Sequence, residues 1–213
     1  MFCFNHVMKD ARRASDTFDR IADHFDKTRN RPWDEVTEFL KNCEGSLLDM
    51  GCGNGRHLLE ALDRNLEVYG IDASIELLSI CREKIKGKVE LVRADVKSLP
   101  FEDGSFDNMI YIATIHHLKQ GRVKSLYEAR RVLKEGGRIL VSGWARELDR
   151  WDLEEEEQDV IVPWHREDGE VIDRFYHLYR LDELREDVSD SGLKVIDAFH
   201  SKGNNYVEAE KIR

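Results

Sequence analysis

The apolar residues of this chain form short runs that alternate with stretches of helical periodicity. The runs predict strands near residues 47–50, 67–72, 88–93, 107–112 and 138–144. Between them, apolar residues recur at intervals of three and four, which indicates amphipathic helices. Strands and helices in alternation favour an α/β fold, with a mostly parallel sheet and helices on both of its faces.

Two helices are predicted before the first strand. The first runs from about Ser15 to Lys27, because its apolar residues fall on one helical face. Pro32 starts the second, and its apolar positions continue to Cys43. These N-terminal helices are therefore expected to occupy residues 15–43.

The chain predicts a single domain over residues 1–213. It is long enough to bury one sizeable core, and no linker, repeat or low-complexity tract divides it. The alternating pattern loosens at about residues 145–180, which we interpret as an insertion on the substrate side of the fold. Near the C-terminus, residues 193–199 and 206–210 predict an antiparallel pair at the edge of the sheet.

The first strand ends in a glycine-rich turn that opens into a helix. Glycine lets backbone amides approach a ligand closely, which favours a nucleotide-like ligand. A dinucleotide fingerprint would place the third glycine one residue later, and Asp49 would repel a pyrophosphate. S-adenosylmethionine carries an ammonium and a sulfonium group, so this acid suits it. The candidate cofactor residues of the turn are Asp49, Gly51, Cys52, Gly53, Asn54 and Gly55.

The next two strands also end in acids. Asp72 is placed to accept hydrogen bonds from ribose hydroxyls, and Asp95 suits an adenine amino group. Because parallel strands end at one edge of the sheet, we expect these acids to share a cleft with Asp49. The remaining candidate cofactor residues are Asp72, Ala73, Ala94, Asp95, Val96 and Ala113.

The overall charge opposes binding to a polyanion. There are 33 basic and 43 acidic residues, which gives a net charge of −10. A local patch can still bind phosphates, and the candidates for one are Arg12, Arg13, Lys27, Arg29 and Arg31. No apolar run approaches the length of a membrane span and no signal peptide is evident, so we expect a cytoplasmic protein without a membrane partner. The four cysteines show no metal-ligand spacing, so no metal site is predicted.

An ordered set of motifs resembles those of class I S-adenosylmethionine-dependent methyltransferases. The motifs are Leu48-Asp49-Met50-Gly51-Cys52-Gly53-Asn54-Gly55, Gly70-Ile71-Asp72, Ala94-Asp95, Leu99-Pro100-Phe101, Ser105-Phe106-Asp107 and Leu133-Lys134-Glu135-Gly136-Gly137. The resemblance implies a Rossmann-like fold with a mostly parallel seven-stranded sheet and an antiparallel C-terminal strand. It also implies S-adenosyl-L-methionine as the cofactor.

A second set of motifs lies outside the generic fold. It comprises Ile21-Ala22-x-His24-Phe25, Thr28-Arg29, Pro32-Trp33, His116-His117, Trp144-Ala145, Gln158-Asp159-Val160, Val162-Pro163-Trp164 and Phe175-Tyr176-His177-Leu178-Tyr179. Together they are similar to the methyltransferases that esterify 5-carboxymethyluridine at the tRNA wobble position. The resemblance implies a tRNA anticodon loop as substrate and a heterodimer with a small zinc-ribbon activator subunit. We expect that subunit to pair with the exposed edge strand near residues 88–93.

This resemblance also suggests which residues bind the acceptor. A carboxylate is ionised at neutral pH, so the reaction needs alignment and cations rather than a strong base. The candidate catalytic residues are Arg29, His116, Arg174 and Tyr176, and the candidate substrate-binding residues are Trp33, His117, Trp144 and Trp164. Arg29 suits a carboxylate or phosphate and equally a surface ion pair. His116 could donate a hydrogen bond to the acceptor. If residues 174–180 are extended, Arg174, Tyr176 and Arg180 share one face.

Other interpretations of the sequence remain open. Each tryptophan on its own more often packs in a core than stacks on a base. A methyltransferase for a small-molecule acid or a quinone precursor would explain the generic motifs but not the second set. A regulatory module that binds the cofactor without turnover would keep the three acids. The glycine spacing disfavours a nicotinamide oxidoreductase.

Overall fold

The computed structural model describes residues 3–147, 154 and 157–212, with side chains from residue 14 onward. The helices are α1 (Cys3–Thr28), α2 (Asp34–Leu40), α3 (Arg56–Leu62), α4 (Ile75–Ile85), α5 (Arg122–Val132) and α6 (Leu181–Asp190), with a short 3-10 turn at Ile115–His117. The strands are β1 (Ser46–Met50), β2 (Glu67–Asp72), β3 (Glu90–Arg93), β4 (Phe106–Ile112), β5 (Leu133–Trp144), β6 (Asp159–His165), β7 (Val171–His177), β8 (Lys194–Ser201) and β9 (Asn204–Glu210).

Seven strands form the main sheet, in the order β3-β2-β1-β4-β5-β9-β8. The first five pair in parallel, whereas β9 runs antiparallel to both β5 and β8. The predicted mostly parallel seven-stranded sheet with an antiparallel C-terminal strand is therefore confirmed. As predicted, β3 forms one edge of the sheet.

Helices cover both faces of the central strands. Every residue of β1 is buried, and successive side chains enter different apolar clusters. Leu48 and Met50 pack in one cluster with Tyr111, whereas Leu47 packs in the other with Ile110. This double burial is the reason that the strand is a continuous apolar run rather than an alternating one.

The N-terminal helices differ in extent from the prediction. Helix α1 begins at Cys3 rather than Ser15, because no glycine or proline lies between these residues to end a helix. Helix α2 ends at Leu40 instead of continuing to Cys43. The amides from Lys41 to Cys43 bond carbonyls only three residues back, which tightens the chain into a turn. Cys43 stays buried beyond the helix.

Two other boundaries also needed correction. Strand β5 begins at Leu133, before the predicted start near residue 138, and the strand includes Gly136. Leu133 is fully buried, so burial periodicity alone could not separate helix from strand. Strand β7 ends at His177, and Arg180 instead precedes α6 as its N-terminal cap. Arg180 therefore does not continue the face of Arg174.

The segment predicted as an insertion contains a separate hairpin. Strands β6 and β7 pair antiparallel in a two-stranded sheet of their own. Helix α1 packs against both α4 and β7, so it connects the main body to this hairpin. In the part of the chain that the structure describes, no helix is both long and apolar enough to cross a membrane.

Candidate active site

A cleft opens where the central parallel strands end, between the main sheet, α1 and the β6–β7 hairpin. Ligands in open α/β sheets bind at this position. Most of the predicted site residues line it: Arg29, Trp33, Gly51, Cys52, Gly53, Asn54, Asp72, Ala73, Ala94, Asp95, Val96, Ala113, His116, His117, Trp144, Arg174 and Tyr176. Asp49, Gly55 and Trp164 lie outside the lining.

The glycine turn is bound tightly to the end of β2. The amides of Gly51 and Cys52 both donate to the carbonyl of Ile71 at 2.8 Å. Gly51 has a φ of +84°, and a Cβ atom there would come within 2.3 Å of Thr114 Oγ1. Only glycine fits this position, so the turn brings its backbone directly to the wall of the cleft.

Backbone amides also hold the acids at the ends of β2 and β3. Asp72 accepts from the amides of Gly53 and Ser74, each at 2.8 Å. Burial raises the pKa of Asp72, and these hydrogen bonds oppose the rise. Asp95 accepts from the amide of Lys97 at 2.9 Å. Both carboxylates are therefore fixed at the rim where the sequence predicted a shared ligand site.

Asp49 lies beneath the turn, and among the acids of the site it is the one with a buried oxygen that lacks a hydrogen bond within the described structure. Its side chain is 1% exposed, and Oδ2 has no hydrogen-bond partner among the described residues. Burial raises the pKa of Asp49 to about 8, with the Asp72 carboxylate adding to the rise and Arg56 opposing it. An orphaned buried acid beside a cleft fits a positively charged ligand, and S-adenosylmethionine is one.

Arg174 brings an unusual positive charge into the cleft. Its side chain is 7% exposed, yet no carboxylate within the described part of the chain forms an ion pair with it. One guanidinium nitrogen donates to the hydroxyl of Tyr176, whereas Nε has no partner. Its guanidinium lies 4.6 Å from the ring centroid of Trp164. Burial lowers the pKa of Arg174, Tyr176 opposes this effect, and nearby Arg29 adds to it.

Two more arginines line the same cleft. Arg29 is exposed at the mouth, where one nitrogen donates to the carbonyl of Thr28 at 3.1 Å. Arg56 lies 4.7 Å from the ring centroid of Trp33, and burial lowers its pKa to about 10. Sequence reasoning missed Arg56 and Thr114 as cleft residues. The signal for Arg56 was its position at the first residue of the helix that the glycine turn opens.

A chain of hydrogen bonds runs through the adjacent histidines. The amide of Trp144 donates to His116 Nδ1 at 2.9 Å, and His116 Nε2 lies 3.2 Å from His117 Nε2. His117 Nδ1 lies 3.1 Å from the carbonyl oxygen of Phe175. Burial lowers the pKa of His116 well below its usual range, and that of His117 to about 3. No ring nitrogen of His116 is left for a ligand, so the expected hydrogen bond from His116 to an acceptor does not fit this arrangement.

The predicted tryptophans occupy three different environments. Trp144 stacks on Tyr176 in the cleft, with ring centroids 4.1 Å apart. Trp33 lines the cleft edge-on to His57. Trp164 is buried, and its indole nitrogen donates to His24 at 3.1 Å. The structure therefore places Trp164 beneath Arg174 and outside the cleft. This position fits core packing, the commoner environment of a tryptophan.

Helix α1 forms the roof of the cleft through contacts on both sides. Asp19 accepts from the hydroxyl of Ser74 at the start of α4, and from the amide of Glu76 at 3.2 Å. On the other side, Arg20 pairs with Glu170 at the hairpin turn. The helix thus fixes the hairpin over the ends of the parallel strands.

Comparisons with known proteins agree with this geometry. Residues 48–141 match the family described as a methyltransferase domain. The tRNA (carboxymethyluridine(34)-5-O)-methyltransferase of Schizosaccharomyces pombe is 32% identical over 220 aligned residues, which cover 91% of this chain and 94% of that protein. The enzyme of the same name from Xenopus tropicalis is 31% identical, but the match covers 92% of this chain and only 40% of that protein.

A solved structure shows the same fold. The methyltransferase in complex with the Haloferax volcanii Trm112 methyltransferase activator superposes with a TM-score of 0.72 at 19% identity. The match covers 94% of this chain and 98% of that one.

The fold and the matched domain place the chain among the class I S-adenosylmethionine-dependent methyltransferases. S-adenosylmethionine is therefore its methyl donor, as the acids of the cleft predicted. Within that class, the chain belongs to the family of the tRNA (carboxymethyluridine(34)-5-O)-methyltransferases.

Proposed function

We propose that this chain is a tRNA methyltransferase that esterifies the carboxylate of 5-carboxymethyluridine at the wobble position. The observation that carries the proposal is Arg174, a buried guanidinium that has no carboxylate partner among the described residues and lines the same cleft as Asp72 and Asp95. A buried unpaired charge destabilises a fold, so its presence is best explained by a ligand of opposite charge. The names of the relatives identify the acceptor chemistry that matches such a ligand.

The chemistry needs no general base. S-adenosylmethionine supplies an electrophilic methyl group, and the acceptor carboxylate is already an anion at neutral pH. Arg174 and the hydroxyl of Tyr176 can hold that anion and exclude water from it. Once the carboxylate is esterified, its negative charge is lost and the attraction to Arg174 falls. The same residue therefore favours release of the neutral product.

The remaining site residues are assigned supporting roles. Trp144, stacked on Tyr176, offers a ring for the uracil base, since RNA-binding proteins commonly stack splayed bases on aromatic side chains. Arg29 at the mouth of the cleft suits a phosphate of the anticodon loop. Of the basic residues expected to form a patch, Lys27 pairs with Glu167 at 3.5 Å, and the side chains of Arg12 and Arg13 lie outside those described.

A partner subunit would supply what this acidic chain lacks for RNA binding. We propose a heterodimer with a small zinc-ribbon activator that adds a strand to β3, the outer strand of the parallel half of the sheet. The support is the Trm112 activator bound to a methyltransferase of the same fold, together with the unpaired edge of β3.

The decisive experiment is a methylation assay with and without a purified zinc-ribbon activator. The chain is incubated with labelled S-adenosylmethionine and tRNA that carries 5-carboxymethyluridine, and the digested nucleosides are analysed for an alkali-labile ester. Arg174→Met is expected to lower kcat/KM for the tRNA by about 100-fold, since a buried cation partner is lost. Arg174→Lys should retain more activity, and Arg185→Met, at an exposed position on α6, should match the wild type.

Two results would contradict the proposal. One is a methyl group on the base ring or the ribose instead of an alkali-labile ester. The other is ester formation that Arg174→Met leaves unchanged. Methylation of small carboxylic acids in the absence of any tRNA product would instead assign the chain to small-molecule acid methyltransferases.

A further inference from the structure

We propose that His116 and His117 act as a positioning pair, which holds the strand of Arg174 and Tyr176 in place against the cofactor sheet. The inference rests on the proposed role of Arg174 in binding the acceptor. The pair connects two backbones: one end of its hydrogen-bond chain is the amide of Trp144 in β5, and the other is the carbonyl of Phe175 in β7.

The chain of hydrogen bonds is satisfied by one arrangement of protons. Because a backbone amide donates to His116 Nδ1, the proton of that neutral ring lies on Nε2. His116 Nε2 then donates to His117 Nε2, so the second ring carries its proton on Nδ1. From there His117 donates to the Phe175 carbonyl. Every nitrogen of both rings is used, and both rings must be neutral.

The position of the hydrogen-bond chain shows which part of the fold it holds in place. Among the described residues, the β6–β7 hairpin forms a separate sheet that shares no ladder of hydrogen bonds with the main one. Two residues beyond the hairpin, the amide of Tyr179 donates to the Trp144 carbonyl of β5 at 2.9 Å. Phe175 lies between Arg174 and Tyr176 in sequence. A bond to its carbonyl therefore fixes β7 at the point from which both acceptor-binding side chains extend.

The surroundings keep both rings uncharged. The titratable groups that face the pair from β7 are Arg174, Tyr176 and His177. Helix α1 contributes the ring of Phe18, and the outer groove that His117 borders is lined by the charged residues Asp16, Arg20, Lys119 and Asp173. Beside the Arg174 guanidinium, a protonated imidazole would add a second buried positive charge. Protonation of either ring would also remove a hydrogen-bond acceptor and so interrupt the hydrogen-bond chain.

Substitutions can remove chosen hydrogen bonds from the hydrogen-bond chain. His116→Asn keeps an acceptor near the Trp144 amide, and His117→Asn keeps a donor near the Phe175 carbonyl, but neither asparagine reaches across the middle bond. Each variant is expected to lower kcat/KM for the tRNA by about 10-fold or more, while the Kd for S-adenosylmethionine stays within about twofold. His165→Asn, at an exposed position on β6, is the matched control and should behave as the wild type.

A double variant separates positioning from general loss of packing. Both asparagines remove the same middle bond, so the double variant should lose little more activity than either single one. Hydrogen exchange at the amides of residues 174–177 should rise in His117→Asn even without any acceptor. His117→Gln, which can reach His116 but not the Phe175 carbonyl, should show the same rise in exchange.

The inference fails if the single variants keep wild-type kcat/KM, if their effects multiply in the double variant, or if exchange in β7 is unchanged. It also fails if affinity for S-adenosylmethionine falls as much as activity does. Failure of the proposed function would look different, because the wild-type chain itself would then form no ester while exchange in β7 still responded to His117→Asn.

Discussion

At the scale of single residues, two buried ionisable groups have atoms without a hydrogen-bond partner among the described residues, one in the cleft and one beneath it. Asp49 has an orphaned carboxyl oxygen, and Arg174 has an orphaned guanidinium nitrogen. Each of these groups costs stability when the cleft contains no ligand, and each is suited to a ligand charge of opposite sign. Stability and ligand binding should therefore respond in opposite directions when one of these charges is removed.

Asp49→Asn tests this trade-off. The folded chain keeps a proton on Asp49 up to about pH 8, whereas the unfolded chain releases it near pH 4. The free energy of unfolding of the wild type therefore falls as the pH rises from 4 to 8, and the variant lacks this fall. At pH 8 the variant should be more stable by about 1–3 kcal/mol, measured by denaturant titration without cofactor.

The same variant should lose the stabilisation that S-adenosylmethionine gives to the wild type. Asp23→Asn, at an exposed position on α1, is the control and should show neither effect. A variant that is less stable than the wild type at pH 8, or that binds the cofactor equally well, would show that Asp49 serves packing rather than the ligand.

The positions of the candidate cofactor residues could be predicted because local backbone geometry places them. A glycine turn after an apolar strand and an acid at a strand end fix Gly51 and Asp72 wherever the sheet forms. The direction of a side chain depends on tertiary contacts instead. The amide of Trp144, 28 residues away, occupies one ring nitrogen of His116 while its neighbour His117 occupies the other, and Trp164 packs under Arg174. No spacing in the sequence carries that information.

At the scale of elements, the site depends on how α1 is attached to the rest of the chain. Asn54 of the glycine turn is buried and donates to Asp26 at 2.7 Å and to the carbonyl of Arg29 at 2.8 Å. One side chain thus joins the glycine turn to the end of α1. The helical periodicity predicted α1, but it carries no information about this attachment or about what the helix covers.

Asn54→Asp should loosen α1. The new carboxylate has no donor to offer and would face the Asp26 carboxylate and the Arg29 carbonyl. We expect the free energy of unfolding to fall by about 1–3 kcal/mol, together with weaker binding of S-adenosylmethionine and faster proteolysis within α1. The measurements are calorimetry and limited digestion.

Asn65→Asp provides the matched control for that change. Residue 65 is exposed and has a φ of +61°, a conformation that aspartate tolerates. Its stability should stay within about 0.5 kcal/mol of the wild type. Equal cofactor affinity and equal digestion of α1 in Asn54→Asp would mean that the helix is held by its other contacts.

At the scale of the whole molecule, the sheet has two different edges. One is β3, which ends the parallel half, and the other is β8, which pairs with β9. The alternating pattern predicted the mostly parallel sheet, but not the hairpin β6–β7, because the strands of the hairpin pair with each other outside the main sheet. Because the sheet has two edges, binding of the proposed activator can be measured at one edge with the other edge as an internal control.

Hydrogen exchange can show which edge receives the proposed zinc-ribbon activator. Addition of a strand to β3 would place its outward backbone amides in new hydrogen bonds, so amides of residues 90–93 should exchange at least about 10-fold more slowly in the complex. Residues 194–201 of β8 should exchange as in the free chain. An activator stripped of zinc should protect neither edge, because small zinc domains lose their fold without the metal. Protection at β8, or at neither edge despite complex formation, would place the partner on another surface.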